Sequence, residues 1–264
     1  MINKHFLALC CVAMISLGHI TCVNAKTNFD NLHTKHDVVA KYECGDMGYQ
    51  AISKDGYGGY SYGKWQISTQ RKNGKPSTFD FFLTYLKENS NNNYYKDLND
   101  AGGYKAAYMG TKRFTSVWRR IAGEKNFQRI YDKFLLDTQI IPVYIRMDKN
   151  GSNNFDILTT WASEDNAIQA AVKSTIIQHG QGGAYKIFQN ILTRMSSKKE
   201  FLKKLYAYRI YKYPQYKKRY NAEYKDLETY LISGKSKIHK DIKVVMKVKK
   251  PGKKVLEKLV NVVL

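Results

Sequence analysis

The sequence predicts a mainly α fold of the α+β kind, a helical domain that carries one small β-hairpin. Apolar side chains recur at helical spacing in segment after segment between residues 79 and 231, as in Phe79, Phe82, Leu83 and Leu86. Only residues 49–69 alternate as a strand does, on either side of Lys54-Asp55-Gly56-Tyr57-Gly58-Gly59, and Asp-Gly and Gly-Gly are strong turn dipeptides. Size agrees, since 264 residues with 43% apolar side chains suffice for one domain with a core of its own.

The two ends of the chain read differently from its middle. Lys4 gives a positive start, residues 6–20 are apolar, and Val23-Asn24-Ala25 places small residues ahead of a cleavage point before Lys26. Residues 1–25 are therefore expected to be a signal peptide, and the protein to be secreted or periplasmic. His19 interrupts a run already short for a membrane span. Cys10, Cys11 and Cys22 leave with this segment, so Cys44 remains alone and no internal disulfide is expected. No histidine neighbours Cys44 to activate it, which favours a small buried side chain over a nucleophile. The domain is expected over residues 26–234. Residues 235–264 hold ten lysines against Asp241 and Glu257. They read equally as an amphipathic element for an anionic wall or membrane surface and as a solvated tail.

Each element between these ends has a local reason. A helix over 36–44 places Val38, Val39 and Tyr42 on one side and is ended by Gly45 and Gly48, so Glu43 lies in its last turn. Strand-like segments at 50–53 and 60–68 form the hairpin. Helices follow over 79–88, 97–108, 114–122 and 127–137, and Pro142 sets 140–147 apart as a separate or kinked helix. The most apolar helix spans 164–179, with Ser163 as its N-cap and Gly180 at its end, and is expected at the centre of the core. Helices over 184–192, 197–213 and 216–231 complete the domain. The capping box Ser197…Glu200 opens the second of these, and Pro214 closes it.

The formal net charge is +22, and it falls by one to +21 when Lys4 is removed with the leader. Such an excess favours polyanionic partners, and for an exported chain these are wall polymers or membranes; nucleic-acid binding is not expected. Histidines are scattered and the mature chain has one thiol, so no metal site is expected; phosphate-cradling motifs are absent and no cofactor is expected.

Glu43 and Asp55 carry the chemistry. Cleaving a glycosidic bond needs an acid for the leaving oxygen and usually a second carboxylate to activate water. A glutamate between an apolar helix face and a hairpin is placed for desolvation, which raises a carboxyl pKa. Asp55 follows in a glycine-rich turn, and Asp46 competes with it for the second role. Tyr57, Tyr60, Tyr62 and Trp65 have rings able to stack on sugars, though such residues also serve as core or cross-strand pairs.

Tyr42-Glu43-Cys44-Gly45, Ile52-Ser53, Asp55 and the run Gly58-Gly59-Tyr60-Ser61-Tyr62-Gly63-Lys64-Trp65-Gln66 resemble the YESG…IS…D.GG.SYG.YQ signature of the chitosanase-like branch of the lysozyme superfamily. Residues 177–184 are similar to its VQHG.GGA turn, and Tyr208-Arg209, Tyr213-Pro214 and Arg219-Tyr220 to its YR…YP…RY segment. The resemblance covers roughly residues 35–233 and departs in a shorter interval between Glu43 and the hairpin and in Cys44, where serine or threonine is usual. That branch includes peptidoglycan-cleaving domains of secreted bacterial effectors and phage enzymes. The resemblance implies a lysozyme-like fold with the hairpin beside the cleft, Glu43 as general acid, Asp55 activating water, and Ser61 and Gln66 lining the cleft. Tyr60, Tyr62 and Trp65 are further candidates for sugar contact.

The expected function is that of an exported, inverting glycoside hydrolase acting on peptidoglycan or a related amino-sugar polymer. Chitosanase, lytic transglycosylase and a non-catalytic wall- or membrane-binding protein are the alternatives. A polycationic chitosan is repelled by so basic a chain over a Debye length of about 8 Å, which favours an anionic wall.

Overall fold

The computed structural model describes residues 38–232 except 57, 90–92, 150–152 and 193–194. The expected leader and the Lys-rich tail lie outside the described residues. The chain begins with α1 (Val38–Glu43), a 3-10 turn (Gly45–Gln50) and the strands β1 (Ile52–Lys54), β2 (Tyr60–Tyr62) and β3 (Ile67–Ser68). Helices α2 (Thr78–Asn89), α3 (Tyr94–Asp100), α4 (Gly103–Met109), α5 (Lys112–Ala122) and α6 (Lys125–Leu135) follow. A π turn (Leu136–Ile140) leads into α7 (Ile141–Lys149), α8 (Asn153–Glu164) and α9 (Asn166–Ile191), and the described part ends with α10 (Lys198–Lys212) and α11 (Lys217–Ile232). This is the mainly helical class with one small sheet that the pattern predicts.

The expected hairpin is a three-stranded antiparallel meander in the order β1-β2-β3. Ile52 pairs with Tyr62 and Ser53 with Ser61; then Ser61 pairs with Ser68 and Tyr62 with Ile67. What divides the single strand expected over 60–68 is the turn at residues 63–66. Gly63 has φ +75°, and Gln66 adopts φ +50°, where its side-chain amide donates to the Gly63 carbonyl at 2.9 Å. The hydroxyl of Tyr131 on α6 fastens this turn, donating to Tyr62 O at 2.8 Å and accepting from Trp65 N–H at 3.2 Å. A side chain at residue 63 would bring its Cβ within 2.6 Å of that ring.

Above the sheet lies an aromatic core. Tyr62, Phe79, Phe82, Phe114, Trp118, Phe127, Tyr131 and Phe134 are fully buried and meet mostly edge-on or tilted, with Tyr62 5.0 Å from Trp118 and Phe82 5.3 Å from Tyr131. Edge-to-face contacts of this kind add about 0.5–1.5 kcal/mol per pair to burial itself. The Trp118 indole N–H reaches Tyr49 O at 3.0 Å and ties α5 to the 3-10 turn after Glu43.

Helix α9 is the second centre and packs against α1, α7, α8, α10 and α11. Its apolar residues Ile168, Ala171, Val172, Thr175 and Ile176 are buried as the pattern predicts. The cap differs from expectation: Asp165, not Ser163, accepts the Ala167 and Ile168 N–H groups at 2.9 and 3.3 Å. Gly180 is a kink, with φ 66° and ψ 175°, after which the helix resumes. The helix expected over 97–108 is two helices, because residues 102 and 103 are glycines with φ 109° and 55°. Pro142 falls in the first turn of α7, where its missing N–H costs nothing, and the π turn absorbs the bend ahead of it.

Replacing Gly63 by alanine forces a side chain into the left-handed region and against Tyr131. Denaturant unfolding of Gly63→Ala should show a loss of about 2–4 kcal/mol.

Candidate active site

Glu43 closes α1, and its side chain is 10% exposed. Its carboxylate accepts a charge-assisted hydrogen bond from the Arg219 guanidinium of α11. Behind Arg219 stands Glu223, one turn along α11 and fully buried, with its carboxylate 4.0 Å from Arg219 Nε and 3.8 Å from Arg209 Nη2 of α10. Arg209 is fully buried too, donates to Gln178 Oε1 at 2.6 Å and Ser174 Oγ at 3.2 Å on α9, and lies over the rings of Tyr220 and Tyr206. Four charges thus alternate in sign from Glu43 to Arg209, and helices α1, α9, α10 and α11 each supply a part.

Burial pushes the Glu43 carboxyl above its ordinary range, against the pull of Arg219. His179 stacks on Tyr213 with ring centres 4.4 Å apart and lies 3.3 Å from Tyr220 Oη. Its burial, together with Arg209 and Arg219, lowers its pKa to about 3, so it is neutral at working pH.

The alternation of the sheet sorts the remaining candidates. Ile52, Tyr62 and Ile67 share the face that turns to the core, and Ser53, Ser61 and Ser68 share the opposite face. Asp55, just past β1, accepts from Ser61 Oγ at 2.8 and 3.0 Å and from Ser68 Oγ at 2.9 Å. Gln66 accepts from Ser53 on this same face.

Two candidates are corrected. Tyr62 is fully buried, its hydroxyl donating to Ala107 O at 2.7 Å, and Trp65 is 2% exposed, its indole N–H donating to Asp132 Oδ1 at 2.7 Å. Neither ring is free to stack on a sugar, because the tight turn at 63–66 folds both toward the interior. Tyr60 is half-buried, with its ring against Gly110. Ser61 is 5% exposed and spends its proton on Asp55. Asp46 is exposed in the 3-10 turn, and Cys44 is buried with its thiol directed at Ala40 O.

Sequence reasoning missed Glu223, Ser68, Asp132 and Lys173. Glu223 had a signal in its i, i+4 spacing from Arg219. Lys173 sits in the apolar stripe of α9, 4% exposed, with its ammonium 3.5 Å from the Trp65 ring centre. Among the described residues no group of histidine, cysteine and carboxylate side chains is arranged to hold a metal ion.

The family model for the type VI secretion system spike protein VgrG3-like C-terminal domain matches residues 36–235. The chain belongs to this family. The matched span of the VgrG3-like domain contains Glu43, Asp55, Arg209, Arg219 and Glu223. No curated protein matches the sequence. Among solved structures, a chitosanase complex shares 16% identity over 76% of this chain and 86% of its own, with a TM-score of 0.50. A native chitosanase from Bacillus subtilis MY002 shares 17% identity over 76% and 88%, with a TM-score of 0.49. A GH46 chitosanase from Gynuella sunshinyii in complex with chitotetraose shares 13% over 77% and 89%, with a TM-score of 0.48. The likeness to the first of these places the VgrG3-like domain in the chitosanase, lysozyme-like glycoside hydrolase fold.

As a core residue, Tyr62→Phe should lose about 1 kcal/mol of stability with its hydrogen bond, read by denaturant unfolding. A clear rise in KM at unchanged stability would return Tyr62 to the cleft.

Proposed function

We propose that the VgrG3-like domain is an exported glycoside hydrolase that cleaves peptidoglycan by single displacement with inversion, spanning residues 26–234 behind a leader at 1–25. The observation that carries this reading is Glu43, a buried carboxyl raised above its ordinary range while still held by Arg219. Such a group keeps a proton to give at a pH where exposed carboxyls have lost theirs. Asp55 supplies the second role, on a polar sheet face with two hydroxyls orienting its carboxylate. In the reaction, Asp55 takes a proton from water as the water oxygen bonds to the anomeric carbon. The glycosidic bond breaks, and its oxygen takes the proton of Glu43. Gln66 and Tyr60 remain candidates for substrate contact.

Charge supports an anionic wall as substrate. The exported chain is strongly basic, and a polycationic chitosan gains nothing from that field. The family description supports delivery outside the producing cell, in a secretion or periplasmic setting, and the lysine-rich 235–264 tail is proposed to hold the enzyme on the wall or membrane surface.

Glu43→Gln should retain the fold by circular dichroism and lower wall-fragment release at least about a hundredfold. Full activity in that variant would sink the assignment. Asp55→Asn should be comparably impaired; normal cleavage that leaves anhydro-sugar ends, read by mass spectrometry, would instead mark a lytic transglycosylase.

Arg219 also sets the alkaline limit. A general acid is active below its pKa, so activity falls as pH rises through that of Glu43. Removing the cation that opposes burial raises the Glu43 pKa further, and Arg219→Gln should move the alkaline limb of kcat to higher pH. A downward shift would contradict the arrangement.

A further inference from the structure

Ser68 lies on the outward face of β3, half-buried, directly across the ladder from Ser61. Paired residues of an antiparallel ladder have Cβ atoms about 4.5–5.5 Å apart, so two serines here set two hydroxyls side by side under one carboxylate. Ser61 reaches both Asp55 oxygens, and Ser68 reaches Oδ2. A carboxylate can only accept, so Ser68 donates its single proton to Asp55, and its oxygen accepts the Gln70 N–H at 3.1 Å. Residue 70 acts a second time, its side-chain amide donating to Gly58 O at 3.0 Å. The turn that carries Asp55 is closed by Asp55 N–H to Gly59 O and Gly58 N–H to Asp55 O, both at 3.1 Å. β3 and the residues just after it thereby hold Asp55 by its carboxylate and by its turn.

Nothing in the packing asks for serine at residue 68. A half-buried strand position is commonly filled by a β-branched or aromatic side chain, and Tyr62 and Ile67 already close the core beneath it. The hydroxyl there has two partners, the Asp55 carboxylate and the Gln70 N–H. A carboxylate has about four lone-pair sites, and the two serines leave some of them open for a water molecule.

We propose that Ser68 is a positioning residue for the water-activating step: it fixes the rotation of the Asp55 carboxylate so that an open lone pair faces the attacking water. The proposal rests on the reading of Asp55 as the base. A base must be held close to its productive geometry, and one freed to rotate loses rate without losing substrate.

The test uses the full chain with soluble wall fragments, followed by reducing-end release and mass spectrometry. Ser68→Ala should lower kcat about tenfold at unchanged KM, and Ser68→Thr, which keeps the hydroxyl and suits a strand, should restore it. In the Asp55→Asn background, Ser68→Ala should change the residual rate less than about twofold, because groups that act as a unit are not additive. An equal loss in both backgrounds, a rise in KM at constant kcat, or a Ser68→Thr as impaired as Ser68→Ala would each overturn the proposal. Asp55→Asn measured alone separates the two failures: a normal hydrolytic rate there removes the base, and Ser68's role with it. An impaired Asp55→Asn with additive Ser68→Ala removes only the positioning role.

Discussion

In the proposed acid role a carboxyl must keep its proton and still be ready to release it, which needs two opposing influences, and Glu43 has both. Burial at the end of α1 raises its pKa, and the Arg219 guanidinium limits the rise. Either alone gives a different residue: without the cation the proton is held too firmly, and without burial the carboxyl is ionised and acceptor-only. The rest of the structure follows from keeping Arg219 in place. Glu223 holds it from below, Arg209 balances Glu223, and Gln178 and Ser174 fix Arg209 to the central helix. Breaking a buried pair by removing one member costs about 3–5 kcal/mol, so this chain of charges is also a fold constraint.

The sheet solves a different problem with very few residues. Its period of two gives one face to the aromatic core and the other to Asp55, so the core and the Asp55 carboxylate share the same short strands without sharing side chains. Tyr62 and Ser61 are neighbours in sequence with opposite duties. The first is sealed among Phe79, Phe114 and Trp118, and the second is bonded to the carboxylate. A slip of one residue would exchange the two faces. Tyr131 prevents it, since its hydroxyl clamps the 63–66 turn at both Tyr62 and Trp65.

Much of this was legible in the sequence because it is local. Periodicity located the helices, Ser197 marked a true boundary and Gly180 a kink, and a glutamate before Cys44-Gly45 stood out by its place at a helix end. The errors have physical causes. An apparent strand over 60–68 hid a turn whose left-handed residue is Gln66, not a second glycine, and burial of Tyr62 and Trp65 follows from that turn. Ser163 looked like a cap, but Asp165 stands at the true helix start. Partners distant in sequence left little trace. Glu43 meets Arg219 across 176 residues, and nothing in either neighbourhood announces the other. Ser68 was invisible for a related reason, since its meaning depends on strand register, which one sequence does not fix.

Charge acts on two separate scales in this molecule. In the interior chain Glu43, Arg219, Glu223, Arg209, carboxyl and guanidinium groups alternate within contact distance, so its interactions are short-range. The basic excess lies elsewhere, in exposed residues such as Lys72, Lys75, Lys212, Lys217 and Lys218. Exposed charges are screened beyond about 8 Å at physiological salt, whereas a buried pair is screened far less. In the proposed reading, the surface excess governs how a charged polymer is approached and retained, and the buried chain governs how its bond is broken. A fold shared with a chitosanase therefore does not fix the polymer, because the exposed charges that meet a polymer are separate from the buried pairs that join the helices.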